Sequence, residues 1–486
     1  MTGAIRPIEE QIIHTTEMPA ARILKEKQTD WKSMWICIFL QFIVGVQISV
    51  YYMSMWPYLS GLDKTADVDF LGWVVAACSI GCTISNPIYG YWNQKTMSVK
   101  WPVITGFLIA GVGQVWYGLL SVSSNVKWYM LVARLLTGLG VGNIAALRVY
   151  AATASTSKDR MRAISFGTGG FVLGISFGPV TSAVFTPLGD GFRIGFLVFN
   201  MYTVVAYLMA LICLLVCAVI YFFFEESYVG IVTKEEKEQD ELVVSKFDGP
   251  AAIICIYLFM IVNIIATNVE VMSTPLTTVL YEWKDSDSIL YNGITLALSC
   301  VISVLLNVAQ GTTRIGKIDK RNQMLIGIFV FLLYQLFMYP WAFYSGPLNF
   351  LPDGLDTTEA GGCYKEYLWC SETTRVPLSV YLFCFIVFFG VAFPFVETPS
   401  AALYSEVLGP RKQGTMQGFF SLGGSIAPVI AAISSTSMFK HTGYRYVILL
   451  QTVILLAGAA FILIFYKRLV PCKVVKKSGD AESRQN

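Results

Sequence analysis

The sequence predicts an all-α integral membrane protein with twelve transmembrane helices in two pseudo-symmetric six-helix halves. Three observations carry this. The 486-residue chain is 55% hydrophobic and 14% charged, whereas an ordinary soluble domain is about 25% charged. Apolar runs of about twenty residues, long enough to cross a bilayer, recur along its whole length. The two parts of the chain also show a faint self-similarity.

The runs fall at roughly 34–57, 71–92, 101–122, 128–153, 163–186 and 197–224, then at 251–273, 289–309, 323–344, 377–401, 414–438 and 446–466. In a bilayer each backbone polar group needs an internal partner, so such runs are helices. The first 33 residues are polar and lack the apolar core of a cleavable signal peptide. This gives an N-tail (1–33), a first bundle (34–224), a central loop (225–250), a second bundle (251–466) and a C-tail (467–486). The central loop, "EESYVGIVTKEEKEQDELVVSKFDG", is acidic and polar and divides the runs six and six.

Charge distribution orients the chain. The tails and the even-to-odd connections hold 25 Lys and Arg, and the opposite connections hold eight; Arg134 and Arg148 lie within a run. The positive-inside rule therefore places both termini in the cytosol. Basic clusters such as "TTRIGKIDKR" (312–321) face lipid headgroups, and no basic domain surrounds them to bind nucleic acid. Only His14 and His441 are present, and no CxxC or zinc spacing occurs, so no metal site is expected. Of eleven cysteines, Cys363 and Cys370 share the long non-cytosolic loop, as a disulfide in an oxidising lumen or as two free thiols. Cys472, just past the last run, is a juxtamembrane thiol open to palmitoylation.

The repeat emerges on shifting the chain by 254 positions. "SKDRMRAISFGTGG" (157–170) then falls on "RKQGTMQGFFSLGG" (411–424), which pairs Phe166 with Phe420 and Gly169–Gly170 with Gly423–Gly424. The same shift sets Tyr150 on Tyr404 and Asn143 on Glu397. A shorter match of "YMS" (52–54) with "VMS" (271–273) aligns Tyr51 with Glu270.

Twelve spans in a six-plus-six repeat resemble the major facilitator superfamily. Arg134, Gly138, Gly140 and Gly142 resemble its RxxxGxGxG pattern in the fourth helix, and "GISFGP" (174–179), ending in Gly178 and Pro179, resembles its fifth-helix motif. Such glycines let helices approach closely, and the proline kinks one of them. The connection after the second span departs from the family, with Asn93 where the usual pattern has aspartate, and "QGTTRIGKIDKR" (310–321) is degenerate too. This puts a charge-relay gate in doubt. Longer strings, among them "MSMWPYL" (53–59), "DKTADVDFLGWVVA" (63–76), "YMLVARLLTGLGVGN" (129–143) and "LYSEVLGPRKQGTMQG" (403–418), resemble the ceroid-lipofuscinosis neuronal protein 7 family. That resemblance implies an endolysosomal multipass membrane protein linked to chloride permeation and lysosomal homeostasis. Two address marks are missing: the chain has no N-x-S/T sequon and no acidic dileucine in its N-tail. "YVGI" (228–231) and "YKRL" (466–469) have the form of tyrosine signals but begin close to a membrane boundary.

Ionisable residues inside spans point to function. Arg148 lies near the cytosolic end of its run, where it either snorkels to phosphate level or faces a path. Arg134 has the same alternatives at the other end. At about 100° per residue on a straight helix, Arg134 and Arg148 project within about 40° of each other, with Asn143 and Tyr150 on the opposite face. The repeat gives Glu397 and Tyr404 the corresponding face of the tenth helix, so Asn143 and Glu397 are expected to meet a substrate path from opposite sides. Alternatively Glu397, between Pro394 and Pro399, bonds backbone freed by the kink. Glu270 lies near the luminal end of the seventh helix, in the path or at the surface. A carboxylate in a low-dielectric cavity resists ionisation, which makes Glu270 and Glu397 candidate proton carriers, while arginine stays charged and suits an anion. No nucleophile–base pair, phosphate loop or metal cluster is visible, so neither an enzyme nor a cofactor is expected. The sequence therefore reads as a transport protein moving chloride or another small anion. Its rivals are a proton-coupled carrier of an organic solute and a non-transporting scaffold or sensor.

Overall fold

A computed structural model describes residues 28–51, 54–63, 68–123, 125–189, 191–195, 197–231, 242–352, 360–365, 367–472 and 474–476. Most of both tails and the middle of the central loop lie outside the described residues. Among these residues the first six spans are α1 (Trp31–Ser49), α2 (Val68–Thr96), α3 (Lys100–Gly118), α4 (Val126–Thr153), α5 (Arg160–Val184) and α6 (Thr203–Phe223). The second six are α7 (Gly249–Tyr281), α8 (Asp285–Thr312), α9 (Lys320–Met338), α10 (Leu378–Leu408), α11 (Gly414–Thr442) and α12 (Tyr444–Ile464). Each expected run falls on one of these spans, except that the first, 34–57, leaves α1 at Ser49 and ends in a separate short helix, Met55–Leu62. Twelve crossings bring both ends of the chain to one side, here called the terminal face.

The apolar core is partitioned as the chain is. One cluster draws only on residues from Ala251 onward, and two others belong to the first six helices apart from Ala402. Large apolar side chains such as Leu211, Leu214, Leu305 and Ile464 point outward, as bilayer-facing surfaces do.

Glycines set the helix spacing. A Cβ on Gly138 would lie 2.0 Å from the Cys78 carbonyl oxygen on α2, and one on Gly140 would lie 2.4 Å from the Gly106 oxygen on α3. Gly142 backs onto Ser85 of α2, and Gly178, next to the in-helix Pro179, onto Ser49 of α1. The repeat is visible here too: Gly170 on α5 packs on Ile38 of α1, and Gly424 on α11 packs on Phe259 of α7.

Two helices depart from regularity. α4 consists of Val126–Val141 and Ile144–Thr153, separated at Gly142 and Asn143. α10 contains a π-helical stretch, Cys384–Phe389, followed by Pro394 and Pro399. Proline lacks the N–H that would bond four residues back, which frees the Gly390 carbonyl; Ser303 of α8 donates to it at 2.8 Å. Gln310 donates to the Pro394 carbonyl at 3.2 Å. A neighbouring side chain, Ser303, thus satisfies the carbonyl freed by Pro394, while the Glu397 carboxylate faces Arg148.

The halves meet tightly at the terminal face through glycine. On α2 and α11, Gly90 and Gly414 back onto each other, with a Gly90 Cβ 2.6 Å from the Gly414 oxygen. Asn86 donates to the Ser421 carbonyl at 3.2 Å and to Ser425 at 3.0 Å. Asn93 turns back to the Ser98 carbonyl at 3.1 Å. On α5 and α8, Gly169 abuts Asn307 and Gly311 abuts Phe166. On the opposite face, Cys363 and Cys370 are joined as a disulfide, with Cα atoms 6.5 Å apart.

Candidate functional site

A cavity lies between the two halves at the level of the glycine closures, lined by residues of α1, α4, α5, α7, α10 and α11. Two charges face each other across it. Arg148 Nη2 stands 3.5 Å from Glu397 Oε1, with side chains 19% and 3% exposed. Burying two charges costs several kcal/mol each unless their geometry compensates, so this juxtaposition needs support. Part comes from below: the Arg148 guanidinium sits 4.7 Å over the Phe259 ring. Phe259 stacks on Phe420 at 4.2 Å, and Phe420 on Tyr404 at 4.7 Å. A cation over an aromatic face gains roughly 0.5–2 kcal/mol. Glu397 Oε2 has no hydrogen-bond partner among the described residues. Around the pair stand Gln41, Thr168 and Gln417, all neutral hydrogen-bonding side chains.

Arg148 therefore does not snorkel. It reaches the other half from Ile144–Thr153, which follows a tightened turn at Gly142–Asn143 where both residues keep helical dihedrals. Arg148, and not the Asn143–Tyr150 face that the repeat favoured, meets Glu397. Asn143 does not oppose Glu397: it is buried within the first half, donates to the Val103 carbonyl at 3.3 Å and packs on Gly106.

Arg134 lies elsewhere. It is 1% exposed, deep in the first half, with its guanidinium 5.5 Å from the Tyr51 ring. Tyr51 in turn donates to Gln114. Arg134 does not line the cavity and ties α4 to its neighbours. The repeat-related tyrosines also sit outside it. Tyr150 donates to the Glu225 carbonyl at 3.2 Å and Tyr404 to the Met416 carbonyl at 2.7 Å, so each pins a backbone near the terminal face. Glu270 is half-buried on α7 and near Cys300 of α8, apart from the residues lining this cavity.

Sequence reasoning missed Phe259, Gln41, Thr168 and Gln417. It also missed Glu226, which accepts from Val99 N at 2.8 Å and Ser98 Oγ at 2.9 Å and so caps the start of α3; a carboxylate there complements the helix dipole. No spacing along the chain marks this contact, since only the fold brings Glu226 to Ser98.

The arrangement of twelve helices around a central cavity has known counterparts. The model of the Major Facilitator Superfamily matches residues 37–352 and 368–485. The chain belongs to the major facilitator superfamily. Among curated relatives it is similar to major facilitator superfamily domain-containing protein 8 of Xenopus laevis, with 29% identity over 480 residues, covering 92% of this chain and 93% of that one. Among solved structures, the proton:xylose symporter XylE bound to 6-bromo-6-deoxy-D-glucose aligns at a TM-score of 0.59 with 16% identity, over 90% of this chain and 95% of that one. The human organic anion transporter MFSD10 aligns at 0.58 with 13% identity, over 91% and 99%. At these identities the two structures show the fold alone. This facilitator-superfamily chain is thus a multipass membrane transport protein, and its central cavity carries the Arg148–Glu397 pair.

Proposed function

We propose that this protein moves a small anion, chloride first, across an endolysosomal membrane, with Arg148 as the anion-attracting group. One observation carries the reading: a guanidinium, 3.5 Å from a carboxylate of the other half, faces a cavity whose remaining polar lining is neutral. A fixed cation beside a narrow path lowers the electrostatic barrier for an anion. An ionised Glu397 competes with that anion for Arg148, and a protonated one leaves Arg148 to it. Proton and anion then enter the cavity together, which unites the chloride reading with the proton-coupled one on the same two residues. The terminal face is the cytosolic side in this reading, supported by the 25 Lys and Arg on the tails and even-to-odd connections. The structure then stands closed towards the cytosol through the α2–α11 and α5–α8 crossings.

The relatives support parts of this in different ways. The similarity to the Xenopus laevis protein fits the endolysosomal family resemblance, and the printed names of the two structural neighbours include a proton symporter and an organic anion transporter. Purified protein in liposomes tests the reading. Under an acid-outside pH gradient, chloride uptake is expected to exceed that of empty liposomes and to carry protons inward. Absence of chloride flux, alongside uptake of an organic solute driven by the same gradient, would replace the anion with that solute.

A further inference from the structure

The second six helices contain another cavity, bounded by α7, α9, α10, α11 and α12. It shares no lining residue with the Arg148 cavity. We propose that it is a binding site for an uncharged, mainly apolar lipid carrying a hydroxyl group, taken up from the bilayer.

The lining gives the chemistry. Among the described residues no Asp, Glu, Lys, Arg or His borders the cavity. An ion entering it would lose its hydration without a counter-charge, which is prohibitive. Met272, Leu276, Met338, Phe439 and Ile448 form an apolar wall. Against it stands a small neutral polar patch. Gln335 Nε2 donates to Gln451 Oε1 at 2.5 Å, and this leaves Gln335 Oε1 without a partner among the described residues although the side chain is 1% exposed. Leaving a buried acceptor unsatisfied is destabilising. A ligand hydroxyl donating to Gln335 Oε1 removes that cost, while its hydrocarbon body lies along the methionine and phenylalanine side.

The surroundings give the source. Towards the face opposite the termini the cavity is covered. Trp369, from the segment closed by the Cys363–Cys370 disulfide, lies 5.2 Å from the Phe439 ring and 6.3 Å from the Tyr444 ring. It is seated on Gly443, whose φ is +75° and where a Cβ would come 2.6 Å from the indole. Tyr444, itself part of the lining, donates to the Thr374 carbonyl at 2.9 Å and fastens the cover. Towards the bilayer the wall is one helix thick. On α9, Gln335 is buried while Leu336 and Phe337 are exposed, and on α12, Gln451 is buried while Leu449 and Leu450 are exposed. The same two helices thus carry the glutamine pair inward and a lipid-facing surface outward. A ligand reaches the site between them.

Photolabelling of the full-length protein in phosphatidylcholine vesicles tests this. One probe is a diazirine-bearing sterol with a free hydroxyl, the other a diazirine-bearing phosphatidic acid. The sterol is expected to label peptides that contain Met272, Met338 or Phe439, and excess unlabelled sterol is expected to compete. Gln335→Met, close in size and without the acceptor, is expected to reduce competable labelling about tenfold, as for loss of one buried hydrogen bond. Gln451→Met serves as a second variant if the first does not fold, with the thermal midpoint of each measured alongside. Absence of competable labelling in the parent protein would overturn the proposal and leave a water-filled gap. Equal labelling by phosphatidic acid, or undiminished labelling in a folded glutamine variant, would overturn it as well.

Discussion

Glu397 engages Arg148 with one oxygen and leaves the other unpartnered beside the cavity, among the described residues. That asymmetry is what a group exchanging a proton with the transport path requires, and it gives a test at a single atom. Glu397→Gln keeps the side-chain shape and removes the negative charge permanently. Parent flux is expected to rise as pH falls, because protonation frees Arg148 for the anion. The variant should keep its flux and lose that pH dependence, read as chloride flux in liposomes between neutral and acidic pH. A full parental pH profile in the variant would assign the dependence to another group, with Glu270 next. Both members of the pair were legible in the sequence, because a charge inside an apolar run is conspicuous. Their partnership was not. The repeat set Asn143 against Glu397, whereas Asn143 spends its amide on the Val103 carbonyl and Arg148, on the opposite face of α4, meets the carboxylate. Phe259 was invisible for the opposite reason: one aromatic in an apolar helix carries no mark that sets it under a guanidinium.

At the scale of helices, close backbone contact joins α2 and α11 at the terminal face. Gly90, Gly414 and Gly418 let α2 and α11 touch, and a Cβ on Gly418 would already lie 3.0 Å from the Asn86 carbonyl oxygen. Neutral bonds from Asn86 to the Ser421 carbonyl and to Ser425 fasten the same crossing. Gly418→Leu therefore penalises the closed crossing by overpacking, worth about 1–3 kcal/mol. A cysteine introduced at Ser425 should react with an impermeant maleimide from the terminal face at least about fivefold faster in that variant, following the shift in population. An unchanged rate would mean that the crossing accommodates the side chain and does not act as a gate. The glycine pattern of α4 was readable as a packing motif from its spacing. The α2–α11 crossing was not, because its glycines are scattered singly and only the fold brings Gly90 to Gly414.

Over the whole molecule, twelve helices, an apolar exterior and a partitioned core follow from hydropathy and repeat, which is why the architecture was legible at the level of spans. Long-range polar fasteners were not. On the face opposite the termini, Glu282 just after α7 accepts from Arg375 at 2.6 Å and from Asn349 at 2.7 Å, and so anchors the loop before α10. Partial burial pushes the Glu282 carboxyl upward, but the Arg375 and Asn349 hydrogen bonds outweigh this and hold it below its ordinary range. A depressed carboxyl pKa contributes stability above the unfolded value, which is lost only as pH falls through the folded value. The fastener thus remains in place at about pH 5, above the ordinary glutamate range. Glu282→Gln should cost less than about 1 kcal/mol, as befits a largely exposed pair, and by a similar amount at neutral pH and in that acidic range in thermal unfolding. A cost confined to neutral pH would show that the carboxyl is already protonated at about pH 5. The central claim, that Arg148 rather than Arg134 faces the transported anion, concerns the molecule as a working whole. Chloride flux through Arg148→Gln and Arg134→Gln, each reconstituted at equal folded amounts, tests it most directly. The account predicts that flux falls at least about tenfold for Arg148→Gln, the loss of one charge–anion contact of some 1.5–3 kcal/mol, while the folded Arg134→Gln retains its anion selectivity. Parental flux and selectivity in Arg148→Gln would contradict it.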